Sequence, residues 1–432
     1  MQSVGAQVRF CFGLLTLVGI VVSTVGCGAP QAQFHLNRVY VRKQEKTQGD
    51  KTSYRNQVED VANILAALFG TPDDHHLPKL PESGIDKILN DSLLSFSEGR
   101  VAVEKIKFLK DGKFADPKGL FREHCVHCHG ITGDGLGPTA AFLNPYPRDY
   151  RMGVFKFKST PKGAKPTHQD LKRILLEGIA GTAMPSFKVL PNDEVDSMVH
   201  YVKYLAIRGE VERKLIEQLN ELDLDKNEKL IDASLKTSDK AKYDEQLGTI
   251  KTIVTEVVQK WVDSESASTE IVDRPEGWKA KEALTASEKR GRELFYGPIA
   301  NCVKCHGDSA LGDGQRTDFD DWTKELGLPK TDALHEFRQL GALAPRNIIP
   351  RNLRQGIYRG GRRPIDLFWR IHNGIDGTPM PAALLKPADA PPEQKGLTIE
   401  DIWALVDYVR SLPYETISKP EAHVPNYTRE RN

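Results

Sequence analysis

Two short stretches carry the residues most able to do chemistry: Cys125-Val-His-Cys128-His129 and Cys302-Val-Lys-Cys305-His306. Both read C-x-x-C-H, the pattern of covalent haem c attachment. Two thiols three residues apart share nearly one face of a helical turn. They can form thioethers to the two vinyl groups on one porphyrin edge. The histidine that follows can present its imidazole to the iron. The pattern therefore assigns Cys125, Cys128, Cys302 and Cys305 to attachment, and His129 and His306 to proximal ligation of two haem c groups. A thioredoxin-like dithiol needs a βαβ context, which is missing. A zinc site would pair the two knuckles, yet they lie 177 residues apart in self-sufficient copies.

A second axial ligand follows by elimination among five methionines. Met1 opens the leader. Met198 is matched by Leu405 in the other copy and Met152 by Gln355, so neither is shared. Met184 and Met380 align in Gly-Thr-x-Met-Pro, 55 and 74 residues after their histidines. Thioether sulfur is a soft, adaptable ligand, and His/Met ligation raises a haem potential. An apolar loop anchor is the bland alternative. Arg148 and Arg351 each sit in a Pro-Arg-Asp/Asn element, and an arginine fork suits a haem propionate. A surface ion pair is the alternative reading there. His168 and His372 read as packing or surface residues, and His124 and His127 as neighbours of the first haem. Tyr201 and Tyr408 read as either haem-edge contacts or ordinary helix packing.

These residues belong to a repeat. Gly-Asp-Gly follows each motif, at 133–135 and 312–314. PRDYRMGVFK (147–156) echoes PRNLRQGIYR (350–359), and DLKRILLEGIAGTAMP (170–185) echoes DLFWRIHNGIDGTPMP (366–381). EVDSMVHYVKYL (194–205) echoes DIWALVDYVRSL (401–412). Blocks in one order imply a duplicated domain. In each copy a helical pattern runs into C-x-x-C-H (117–128 and 287–305), and another helix closes the copy. No sustained period-2 alternation occurs, so the expected fold is all-α.

The expected organisation is a signal peptide at 1–26, a tether and helical extension at 27–105, domain one at 106–210 and a charged helical spacer at 211–282. Domain two follows at 283–415, with a tail at 416–432. Within the extension, Gln57–Phe69 carries apolar residues at helical spacing. The spacer reads as two helices, blandly a solvated hairpin. Phe10–Val22 is a secretory-type apolar run. Ser-Thr-Val-Gly before Cys27 resembles a lipobox with Thr24 in place of leucine. Cys27 is therefore the candidate lipid-bearing residue, and the rest of the chain is expected on the periplasmic side of a membrane. Sixty Lys and Arg against 59 Asp and Glu give a net charge of +1. That balance leaves no global basic field for nucleic acid. Mean hydropathy is −0.45 and only one segment, near the N-terminus, is apolar enough to enter a membrane, which excludes a polytopic membrane protein.

Each copy resembles the small helical cytochrome c domain, with C-x-x-C-H at the end of the first helix, a late methionine loop and a closing helix. The pair resembles a dihaem cytochrome c built by duplication. The resemblance implies electron transfer without substrate chemistry. It implies partners such as a quinol-oxidising complex, a terminal oxidase or an exported dehydrogenase. It also implies a proline carbonyl that orients the proximal imidazole. Pro138 stands there in copy one, whereas copy two reads Gly-Gln-Arg. A longer loop in copy two, 317–344, is expected either to shield the haem or to form a partner surface. The rivals are a dihaem peroxidase, which must free one axial position, and an electron-entry subunit of a larger respiratory enzyme. The paired methionine loops argue against the peroxidase.

Overall fold

The computed structural model describes residues 32–49, 52–91, 93–94, 119–267, 274, 276–319, 331–391 and 393–414. The expected leader, Cys27 and the tail at 416–432 lie outside the described residues. Contacts divide the chain into 1–33 and a body at 34–432; the architecture below is that of the body. The described residues are helical and hold no strand, only isolated bridges.

The extension contributes α1 (Arg38–Thr47) and α2 (Thr52–Phe69). Copy one holds α3 (Leu120–His124), α4 (Val126–His129), α5 (His168–Glu177) and α6 (Asn192–Gln218). Then comes α7 (Lys240–Ser264). Copy two holds α8 (Lys281–Tyr296), α9 (Val303–His306), α10 (Thr331–Gln339), α11 (Pro364–Asn373) and α12 (Ile399–Ser411).

The helix starts are written in the sequence. Thr167 and Asp170 form a reciprocal capping box at α5, as do Thr398 and Asp401 at α12. Pro364 takes the first turn of α11, where its missing N–H costs nothing.

Two expectations need correction. The pattern running into the second motif is not one helix. α8 stops at Tyr296, ahead of Gly297-Pro298, and α9 is a separate turn that carries the motif. In copy one the break falls at Cys125, with φ −120°. The boundary at 210/211 also falls inside a helix, since α6 runs on unbroken to Gln218. The expected solvated hairpin is instead built into the core. Val211, Leu215 and Ile216 of α6 and Val254, Val258 and Trp261 of α7 are fully buried. They share one apolar cluster with Tyr54, Leu65 and Phe69 of α2 and with Phe121 of copy one. Copy two has its own cluster around Phe295, Phe368 and Leu405.

Close helix crossings rest on glycine. A Cβ on Gly291 of α8 would stand 2.0 Å from the Ala404 carbonyl oxygen of α12. A Cβ on Gly209 of α6 would stand 2.2 Å from Arg151 Cα. Either contact is far inside van der Waals distance.

The copies also touch each other. Lys158 pairs with Asp376 at 2.9 Å with both side chains nearly buried. Arg173 reaches Asp366 at 3.1 Å and the Gly360 carbonyl at 2.9 Å. Asn373 donates to the Ser159 carbonyl at 3.1 Å. The end of the long copy-two loop and the residues just after it meet copy one, where the Tyr146 hydroxyl donates to the Ala344 carbonyl at 2.9 Å. Arg346 donates to the Leu143 and Ala141 carbonyls and lies 3.9 Å over the Tyr146 ring. Glu336 of α10 takes Arg42 and Lys46 of α1.

Candidate functional site

Both C-x-x-C-H motifs and both methionine loops open into one cavity of about 1030 Å³, largely apolar in lining. Its volume stands at the top of the range for a single small-molecule pocket, about 300–1000 Å³. Cys125, Cys128, His129 and Met184 line it from copy one, and Cys302, Cys305, His306 and Met380 from copy two. Arg148 and Arg351 line it as well.

The proximal histidines are held alike. His129 Nδ1 lies 3.1 Å from the Arg148 carbonyl oxygen, and His306 Nδ1 lies 3.2 Å from that of Arg351. A carbonyl only accepts, so Nδ1 carries the proton and Nε2 keeps its lone pair for a metal. Burial lowers the His129 pKa to about 4, against the pull of the Arg148 hydrogen bond. Burial lowers that of His306 too. Both imidazoles are therefore neutral at pH 7. This corrects the expected role of Pro138: the carbonyl comes from the Pro-Arg element, so copy two has the same support. Tyr150 stacks on His129 at 4.7 Å and 15°. Tyr201 instead packs on Phe121 at 4.9 Å, and Tyr408 on Phe295 at 5.4 Å; neither lines the cavity.

The repeat needs a second correction. Gly-Asp-Gly is not matched residue for residue. The Tyr150 N–H donates to the Gly133 carbonyl at 2.8 Å, and the Leu353 N–H donates to that of Ala310 at 2.9 Å. Gly135 donates to the His129 carbonyl at 2.9 Å and Gly312 to that of His306 at 2.8 Å. Counted from the histidine, Gly133 therefore matches Ala310, and Gly135 matches Gly312. Ala310 takes the left-handed backbone that Gly133 takes, at φ 56° against 69°. That conformation costs an alanine energy and costs glycine little.

The methionine loops owe their shape to threonine. Thr182 Oγ1 donates to the Ile179 carbonyl at 2.8 Å and accepts from the Met184 N–H at 3.1 Å. Thr378 Oγ1 donates to the Ile375 carbonyl at 2.8 Å and accepts from the Met380 N–H at 3.2 Å. Ile179 N–H and Ile375 N–H close the loops onto the Met184 and Met380 carbonyls at 3.1 and 3.2 Å. Met198 is fully buried in the core, and Met152 does not line the cavity. His168 pairs with Asp196 at 3.0 Å, and His372 stacks on Phe368 at 5.4 Å; both stand outside the cavity lining. His124 and His127 line it, His127 from an exposed position.

Two cavity arginines escaped sequence reasoning. Arg359 and Arg370 line it, and each has a buried Nε with no hydrogen-bond partner. Arg359 is matched by Lys156 and Arg370 by Ile174, so neither residue is identical between the copies, which is the signal the repeat supplies.

The donor set fits haem c. Each side offers two thiols, a neutral imidazole with Nε2 unprotonated and a thioether, inside apolar walls, and the copy-two wall adds Arg359 and Arg370, each with an unbonded buried Nε. Burial pushes the Cys125 and Cys302 thiols up to about 12. That is opposite to the depressed pKa of a redox-active dithiol.

Sequence comparisons fall on the same two regions. Residues 112–202 match a family model described as cytochrome c oxidase, cbb3-type, subunit III. Residues 288–413 match the cytochrome c model. No curated protein matches the chain. Among solved structures, a chain of the reducing HAO-like protein complex of Kuenenia stuttgartiensis is similar at 21% identity and a TM-score of 0.41, covering 68% of this chain and 94% of that one. The two family matches support a multi-domain c-type cytochrome that binds haem c covalently and serves haem-based electron transfer.

Proposed function

We propose that the chain binds two haem c groups and passes electrons between exported or membrane-bound redox partners. The observation that carries this reading is the single cavity into which both motifs and both methionine loops open. Bound there, haem c would supply a reversible one-electron iron couple. Cys125 and Cys128 would hold one group, and Cys302 and Cys305 the other. His129 with Met184 would ligate the iron of the first group, and His306 with Met380 that of the second. With both faces filled, no open coordination site would remain for peroxide. Such a centre is suited to carrying electrons rather than to turning over a substrate.

The chain's own residues do the positioning. The Arg148 and Arg351 carbonyls fix the imidazole tautomers. Thr182 and Thr378 hold the methionine loops shut. The contacts between copies, led by Lys158–Asp376, keep the two halves of the cavity together. In this reading the mature chain begins at Cys27 as a lipid-anchored, periplasm-facing protein. Its partners are redox proteins that dock near the cavity.

A redox titration followed by absorption spectroscopy tests the proposal. Two low-spin haems, both with a methionine–sulfur charge-transfer band, are expected. A high-spin or CO-binding ferrous haem, or peroxide turnover, would overturn it in favour of the peroxidase reading.

A further inference from the structure

The cavity wall is unevenly charged. Six cations line it, Arg148, Lys156, Lys304, Arg351, Arg359 and Arg370, against one carboxylate, Asp318, among the described residues. The excess is also lopsided between the copies. Arg351 answers to Arg148 and Arg359 to Lys156, but Arg370 stands where copy one has Ile174. Ile174 lines the cavity as well, so the two positions face the same space.

Arg370 is 9% exposed and sits on α11, the helix that leads into the Met380 loop. Its Nη1 donates to the Asp366 carbonyl one turn back, its guanidinium lies 5.4 Å from the Phe157 ring centre of copy one, and its Nε has no partner. The nearby Asp366 carboxylate is already shared by Arg173 at 3.1 Å and Arg363 at 2.8 Å. Arg370 is therefore a buried charge without a carboxylate of its own. An uncompensated buried charge is costly, so its retention calls for an anion. Burial lowers the Arg370 pKa to about 9, with Arg173 and Arg363 adding to the shift against the pull of Asp366, so it stays charged at neutral pH. Burial and Arg351 lower that of Arg359.

We propose that Arg370, with Arg359, receives haem carboxylates on the copy-two side of the shared cavity and makes the copy-two haem the more oxidising of the pair. The inference rests on the reading of two bound haem c groups. Propionate is the anion that such a group brings with it. Reduction adds one electron to an iron centre, and a buried cation stabilises the reduced form. Copy one has an isoleucine at that position, so its iron lacks the same help. With both groups bound, the copy-two site would be the one on which a single electron rests. A unit charge about 10 Å away from a redox centre, at an effective dielectric of about 20, generically shifts a one-electron equilibrium on the order of tenfold.

The test is spectroelectrochemistry on the full-length holoprotein and on Arg370→Ile, which installs the copy-one residue, with haem counted by pyridine haemochrome. Met380→His marks the copy-two wave, because losing His/Met ligation lowers its potential. Arg370→Ile is expected to keep two low-spin haems and lower the marked wave about tenfold, which is about 59 mV for one electron. Arg370→Lys is expected to restore most of that loss. Arg359→Gln, which leaves α11 untouched, is expected to move the same wave in the same direction by a smaller factor. Two haems with the marked wave unmoved in both Arg370→Ile and Arg359→Gln would overturn the inference, as would a marked wave that is the lower of the two in the wild type. Fewer than two haems in the wild type would instead sink the reading on which it rests.

Discussion

Replacing Thr378 by valine removes one hydroxyl and keeps the side-chain shape. In the structure that hydroxyl makes two bonds, donating to the Ile375 carbonyl at 2.8 Å and accepting from the Met380 N–H at 3.2 Å. Each hydrogen bond contributes about 1 kcal/mol net, and an amide left without a partner costs about the same or more. The loop that presents Met380 should therefore lose about 2 kcal/mol, close to a thirtyfold change in the equilibrium between methionine-on and methionine-off states. Guanidinium titration of the methionine–sulfur charge-transfer band, beside far-ultraviolet circular dichroism, reads this directly. In Thr378→Val the band should vanish at a lower denaturant concentration while the helical signal keeps nearly its wild-type midpoint. Thr378→Ser keeps the hydroxyl and should restore the band's midpoint. Thr182→Val should weaken the copy-one band alone, because the two loops share no hydrogen-bond partner. Coincident band midpoints in wild type and Thr378→Val would refute the claim that threonine shapes the ligand loop.

Three further outcomes are expected. Gly291→Val drives side-chain atoms into the Ala404 carbonyl, since even a Cβ would stand 2.0 Å away; thermal unfolding should show copy two losing about 3 kcal/mol or more. Asp376→Asn strips Lys158 of its nearly buried counter-charge at 2.9 Å, so calorimetry should show about 3 kcal/mol lost and the unfolding transition splitting into two. Burial, then the neighbouring His168 and Lys203, lowers the His200 pKa to about 4. The unfolded chain takes up that proton near pH 6.5 and the folded one does not, so stability should fall as pH drops from about 6.5 to about 4, by up to about 3 kcal/mol. His200→Gln should flatten that part of the denaturation-versus-pH curve, and an unchanged slope would count against the burial argument.

The motifs that line the cavity were legible because they are local and repeated. C-x-x-C-H needs only a helical turn, and Gly-Thr-x-Met-Pro recurs because the threonine hydroxyl spans its own loop. The all-α class was legible from spacing alone. What escaped depended on distance in space. The carbonyl behind each proximal imidazole comes from Arg148 or Arg351, 19 and 45 residues downstream, so the search beside Pro138 looked too close. Gly-Asp-Gly matched as letters but not as backbone, because Ala310 adopts the conformation of Gly133. The residues after 210 looked like linker because they are highly charged, yet their apolar stripe continues the buried face of α6. Elimination by repeat also had a cost. It set aside Met152 and Met198, neither of which lines the cavity, and by the same rule it passed over Arg370, whose interest lies in having no counterpart. Tyr150 was missed for that reason too, since Leu353 holds its place.

The central claim is that this one cavity holds two covalently attached haem groups. Pyridine haemochrome on the purified chain, with protein quantified independently, measures that number. Two c-type haems per chain are expected in the wild type, and one after Cys125→Ala/Cys128→Ala or after Cys302→Ala/Cys305→Ala. A wild-type value of one, or a value unchanged by either pair of substitutions, would contradict it.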